Sequence, residues 1–138
     1  MALFDVFHIS GSAMNAQSLR LNTVASNMAN ADNVATTPEA AYRARYTVFA
    51  TLMKDAANGP VAAGVNVAEI VESQAAPLVR YEPNHPLANE QGNVYSPNIN
   101  MVEEMANMIS ASRSYQNSTE VFNTSKQLLL RTLNMGAN

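Results

Sequence analysis

From Asn100 to Gly136 the chain reads NMVEEMANMISASRSYQNSTEVFNTSKQLLLRTLNMG, with no proline or glycine before the final residue. Met101, Met108, Tyr115, Phe122 and Leu129 fall seven apart in one phase. Met105, Ser112, Thr119, Lys126 and Leu133 fall four residues after them, as a companion line. Such a repeat predicts one long helix with a seam of coiled-coil type, apolar at both ends and polar at its waist. Asn100 is placed to cap it, with Glu103 completing a capping box. Glu103 and Glu104 lie at the positive end of the helix dipole. Gly136 is placed as the stop. A helix of this length spans roughly 50 Å and cannot fold back into a core of its own. It needs a partner.

Residues 4–31 supply one. Phe7, Met14, Leu21 and Met28 are again seven apart, flanked by Val24 and Ala31. Gly11 weakens this helix by about 1 kcal/mol relative to alanine without breaking the stripe. Asp5, Arg20 and Asp32 are the only charged residues in the first 38. A solvated helix carries Lys and Glu on its outer side. This one carries Ser, Asn, Gln and Ala around most of its circumference, which suits a helix packed by other protein on several sides.

Between the helices the pattern changes. Asp32, Asn33 and Pro38 mark a break. Tyr42 to Phe49 alternates in strand fashion, with Tyr42, Ala44, Tyr46 and Val48 on one side. Asn58-Gly59-Pro60 reads as a loop. Gly64 to Val71 predicts a second strand with Val65 and Val67 inward. Leu78 to Glu82 and Val94-Tyr95 predict two more, separated by turns at Pro83–Pro86 and Asn89–Gly92. The expected fold is α+β. Long terminal helices pair as an antiparallel coiled-coil-like hairpin around a small, irregular β insert. The divisions fall at 1–36, 37–97 and 98–138.

The inventory of chemistry is thin. The chain has 138 residues, no cysteine and two histidines. Disulfides, thiolate catalysis and cysteine-based zinc sites are excluded. His8 has no second ligand at helical spacing. His85 lies between Asn84 and Pro86, near Glu82 and Glu90, where an acid–base pair is conceivable, although a loop-fixing role accounts for it more simply. No phosphate-binding glycine loop or nucleophile elbow is present. A net charge of −3 argues against nucleic acid, and the Arg–Tyr mixture at residues 42–46 reads as an amphipathic strand. No catalytic residue, cofactor, metal or small-molecule substrate is expected. No window is apolar and long enough to span a membrane, and the N-terminus lacks the basic region of a cleaved secretory signal.

Two seams on one chain can bury one face of each helix against the other. The remaining faces stay open, so the termini are expected to be partly unfolded in an isolated copy and to order when neighbours cover them. A head-to-tail contact of this kind repeats without closing and makes a filament or tube. The Met-rich seams suit it, because Met adapts to slightly different neighbours. The alternative is a helical adaptor with one defined partner.

These residues resemble a known family. Leu19 to Ala31, with Val24-Ala25-Ser26-Asn27-Met28-Ala29-Asn30, is similar to the N-terminal motif of bacterial flagellar rod and hook axial proteins. Asn98 to Met105 followed by Ser110 to Gln116 resembles the closing helix of that family. Tyr81 to Asn89, with Gly92 and Pro97, narrows the resemblance to the proximal rod. The resemblance implies export through the flagellar type III apparatus without signal cleavage. It implies assembly in the periplasm with other copies, other proximal and distal rod proteins and the export-gate adaptor protein. By matching position it implies packing roles for Asn27, Asn30, Glu104, Met105, Arg113 and Tyr115. One departure is visible: many relatives place Gly where Ala41 precedes Tyr42. Ala does not readily take a positive φ, so that turn should differ.

Overall fold

In the computed structural model the described residues are 3–56 and 59–136. Helix α1 spans Leu3–Asn30 and helix α2 spans Met101–Gly136. Strands β1 (Arg45–Ala56), β2 (Gly59–Glu72), β3 (Leu78–Tyr81) and β4 (Asn93–Ser96) lie between them. The architecture is α+β: two long helices packed together, with two small antiparallel sheets, β1–β2 and β3–β4. Contacts along the helix pair run in opposite directions. Phe7 meets Phe122, Met14 meets Thr119, Arg20 meets Asn107 and Asn27 meets Glu104.

The β1–β2 hairpin is longer than the sequence pattern indicates. Its ladder runs from Arg45↔Glu72 to Ala56↔Gly59. Gly59 and Pro60, expected in a loop, belong to β2, and Asn58 lies outside the described residues. Strand pairing overrides the poor β-propensity of the Ala, Gly and Pro residues here, because the ladder satisfies their backbone groups. Two register shifts leave Ala68 and Ala63 without partners on β1, and such bulges bend and twist the ribbon. The first strand also starts later than the alternation implies, at Arg45 and not Tyr42, because a helix side chain captures this stretch of backbone, as described below.

The hairpin lies along α1. Ser12 Oγ accepts from the Val65 N–H at 3.2 Å and donates to Ile9 O at 2.8 Å. His8 Nδ1 donates to Ala63 O at 3.2 Å; that carbonyl belongs to the second bulge, which the ladder leaves unpaired. The approach is close enough to require Gly64: a Cβ there would stand 2.6 Å from Ser12 Oγ. At the other end of the insert Gly92 turns the chain into β4 with φ of 76°, a value open to glycine. Ala41 sits in the core at 6% exposure, and among the described residues no non-glycine has a positive φ. The turn before Tyr42 is therefore built without the left-handed residue that a glycine would allow.

The core is slight. Its buried apolar residues are Ala16, Val24, Ala41, Ala44, Val94 and Ala111, and the largest side chains fully out of solvent are Val94 and Asn27.

Candidate assembly interface and the Asn27 junction

Asn27 sits in the last turn of α1 and joins three elements. Its Nδ2 donates to Arg45 O at 2.8 Å and to Glu104 Oε2 at 3.0 Å. Its Oδ1 accepts from the Arg45 N–H at 2.9 Å and from the Tyr42 hydroxyl at 3.0 Å. Two donors and two acceptor positions are thus all used, which is the full capacity of a carboxamide. Asp could not donate to Glu104, and Leu could do none of this. Ser26 Oγ lies 3.2 Å from the Tyr42 hydroxyl and completes the chain of bonds.

Glu104 is 2% exposed in the first turns of α2, where the helix dipole favours a carboxylate. Asn100 caps that helix, its Oδ1 accepting from the N–H of Val102 at 3.1 Å and of Glu103 at 3.4 Å. Of the adjacent glutamates, Glu104 is the one that bonds across to another element. Partial burial, then the charges of Glu104 and Glu103, raise the Tyr46 phenol above its ordinary value of 10.0.

The seam residues divide. Phe7 and Phe122 meet edge to face, centroids 5.0 Å apart at 75°. The Thr119 hydroxyl donates to Met14 Sδ at 3.3 Å. Leu21, Met28, Met101, Met108 and Leu129 are half-buried. The companion line, however, lies one residue earlier than the sequence suggests. Glu104, Ala111 and Ser125 are the buried residues of α2, with Ser118 half-buried between them. Met105 and Leu133 point outward, 50% and 60% exposed, and Lys126 is exposed as well. The reason is steric. Ala111 and Ser125 are small enough to lie between the helices, Glu104 is held on the same line by its bond to Asn27, and choosing the companion line by apolar size passes over all three. Tyr115 and Arg113 are also exposed. Asn30 does not reach α2: its Nδ2 donates to Ser26 O at 2.8 Å and its Oδ1 accepts from Asn33 Nδ2 at 2.7 Å, which ends α1. The sequence does not single out Ala111, Ser125 or Ser12; Tyr42 and Gly64 enter there only as strand positions, and His8 only as a histidine without a second metal ligand. The small residues three positions after each seam residue were the available signal for Ala111 and Ser125.

The acid–base reading of His85 finds no support in the geometry. Its Nδ1 accepts from the Leu87 N–H at 3.1 Å, and the Glu82 carboxylate is engaged by Arg80. Among the described residues, no group of three or more His, Asp or Glu could hold a metal ion, and no helix is long and apolar enough to cross a membrane.

The exposed surface is large and apolar at defined places. Phe7 opposite Phe122 puts the start of α1 near residue 126 of α2. Roughly ten residues of α2, about 15 Å, therefore run past α1. In this overhang Leu128, Leu130, Leu133 and Met135 are 50–74% exposed. Val102, Met105 and Ile109, at helical spacing near the other end of α2, are 76%, 50% and 54% exposed. Both exposed apolar clusters lie on the long terminal helix α2, in a chain whose architecture is two long helices around small sheets.

The family model described as Flagella basal body rod protein matches residues 7–35, which is α1 and the turn after it. The model described as Flagellar basal body rod FlgEFG protein C-terminal matches residues 90–135, which is β4 and α2. The chain is 50% identical over 136 residues to the flagellar basal-body rod protein FlgC of Escherichia coli O6:H1, covering 99% of both. It is 51% identical to FlgC of Salmonella typhimurium over 136 residues, again 99% of both. It is 31% identical to FlgC of Borreliella burgdorferi, over 96% of this chain and 97% of that one. The chain belongs to the FlgC family of flagellar basal-body rod proteins, a structural family and not a catalytic one.

Proposed function

We propose that the chain is a structural subunit of the flagellar proximal rod, stacking head to tail into a helical axial tube. One observation carries the reading. The chain exposes 9246 Å², whereas a compact monomer of 14.9 kDa exposes about 7000 Å². The excess, roughly 2200 Å², exceeds the contribution of about 800 Å² that one partner makes to a standard interface. It is enough for more than one neighbour per subunit, which is what a tube requires and a single-partner adaptor does not. In this reading the helix pair packs with coiled-coil character, Phe7, Met14, Leu21, Met28, Met101, Met108, Phe122 and Leu129 holding the copy together. Met105, Arg113, Tyr115 and Leu133 face neighbours. The partners are other copies, the other proximal and distal rod proteins and the export-gate adaptor protein. Export occurs by the flagellar type III apparatus without signal cleavage. The tube stands in the periplasm, carries torque and leaves a channel for export.

The test is Leu133→Asp. Leu133 touches little of its own chain, so stability should change by less than about 0.5 kcal/mol. Rod assembly and motility should be lost. A motile Leu133→Asp strain would overturn the reading.

A further inference from the structure

Gly11 occupies an unexplained place. Glycine within a helix is unfavourable relative to alanine, and a Cβ at Gly11 would meet nothing within 4 Å. Among the described residues, nothing fills the space that the methyl would take. Gly64 is the contrast, since Ser12 fills the space beside it. Gly11 instead opens onto a trough of about 520 Å³ between α1 and the hairpin, with apolar walls from Phe7, Leu19, Leu52 and Val65, polar groups from Asn15 and Asn66 at its side, and no Asp, Glu, Lys or Arg in its lining. The His8 and Ser12 bonds to β2 hold its walls apart at a fixed spacing.

We propose that this trough is an acceptor site for a second copy of the chain, and that the Val102, Met105 and Ile109 face of that copy's α2 enters it, with an apolar side chain seated against Gly11. The proposal rests on the rod-subunit reading. An uncharged trough excludes a charged guest, because burying an unpaired charge is strongly unfavourable. The three guests lie at i, i+3 and i+7 and so share one helix face. They also lie along the axis from the trough. Thr119 lies beside Met14 and Asn107 beside Arg20, which sets Gly11 level with residues near 119, more than two turns from Val102–Ile109. A copy displaced along the axis by roughly 15–25 Å brings its donor face level with the acceptor trough, with Met105 near the middle of that range. The same displacement can then be repeated by the next copy, so the contact propagates and does not close.

Because the chain has no cysteine, thiols can be placed freely. Full-length chain carrying Gly11→Cys and Met105→Cys, expressed in place of the native protein, is oxidised in isolated basal bodies. Disulfide-linked multimers of the chain are expected, and neither single variant should give more than trace dimer. Motile cells whose rods yield no such multimers would overturn the proposal. As an independent arm, Gly11→Leu fills the trough. It should leave the helicity of the purified chain unchanged or higher and abolish rod assembly. If Gly11→Leu cells swim while Leu133→Asp cells do not, the trough assignment fails and the rod reading stands. If both swim, the rod reading fails with it.

Discussion

The Asn27 carboxamide donates to the Glu104 carboxylate at 3.0 Å, between side chains that are 0% and 2% exposed. In a chain whose other fully buried large side chain is Val94, this polar contact does what an apolar core does elsewhere. It fixes the register of α1 on α2. Through Arg45 and Tyr42 it also sets where the insert begins.

Asn27→Ala leaves a buried carboxylate and the Arg45 backbone without their partner. The expected loss is about 1–3 kcal/mol for each group left unsatisfied, read as a drop in urea midpoint. Glu104→Gln keeps an acceptor facing Asn27 and should lose much less. Equal losses from the two variants would show that the junction is not held by this bond.

The raised Tyr46 phenol predicts an alkaline limb. A group whose folded pKa lies above its unfolded value contributes stability that is complete below the unfolded value, 10.0 for Tyr, and is lost as pH rises through the folded one. Stability should therefore fall as pH climbs above about 10. Tyr46→Phe should flatten that fall relative to wild type and leave neutral-pH behaviour alone. Thermal melts across pH 8–11 measure it.

The helix–hairpin approach is tested at Gly64. A Cβ there meets Ser12 Oγ at 2.6 Å, so Gly64→Ala should destabilise by about 1–3 kcal/mol. Ser12→Ala removes the hydroxyl and leaves Ser12 Cβ at a tight 3.3 Å. The double variant should then lose less than the sum of the singles, by at least about 0.5 kcal/mol. Strict additivity would mean that the two elements do not touch in solution.

Phe7 and Phe122 should couple by about 0.5–1.5 kcal/mol in a double-mutant cycle to leucine, the range for an edge-to-face pair. His85→Ala, by contrast, removes one acceptor in an exposed loop. It should leave assembly and motility intact, as expected of a residue with no chemistry to perform.

Amide exchange addresses the expectation that neighbours complete the fold. In an isolated copy the overhang from about residue 127 to Gly136 should exchange fastest, because Leu128, Leu130, Leu133 and Met135 stand at least half in solvent there. Protection there should appear on assembly.

Much of this protein was legible in its amino-acid order. The seven-residue phases gave both helices to within a residue or two, the turn residues gave the four strands in sequence, and the missing cysteines and isolated histidines made catalysis the less favoured reading. These are local signals, since periodicity and turn chemistry act within a few residues. The tertiary structure decided what depends on distant partners. It set Asn27 on Glu104, 77 residues away. It chose Ala111 and Ser125 over Met105 and Leu133 as the close-packed line, because helix separation rewards small side chains that a hydrophobicity count passes over. It also drew Ala50–Ala56 and Gly59–Ala62 into a paired ribbon that their own propensities would not form, because backbone hydrogen bonds across a ladder do not depend on side-chain identity.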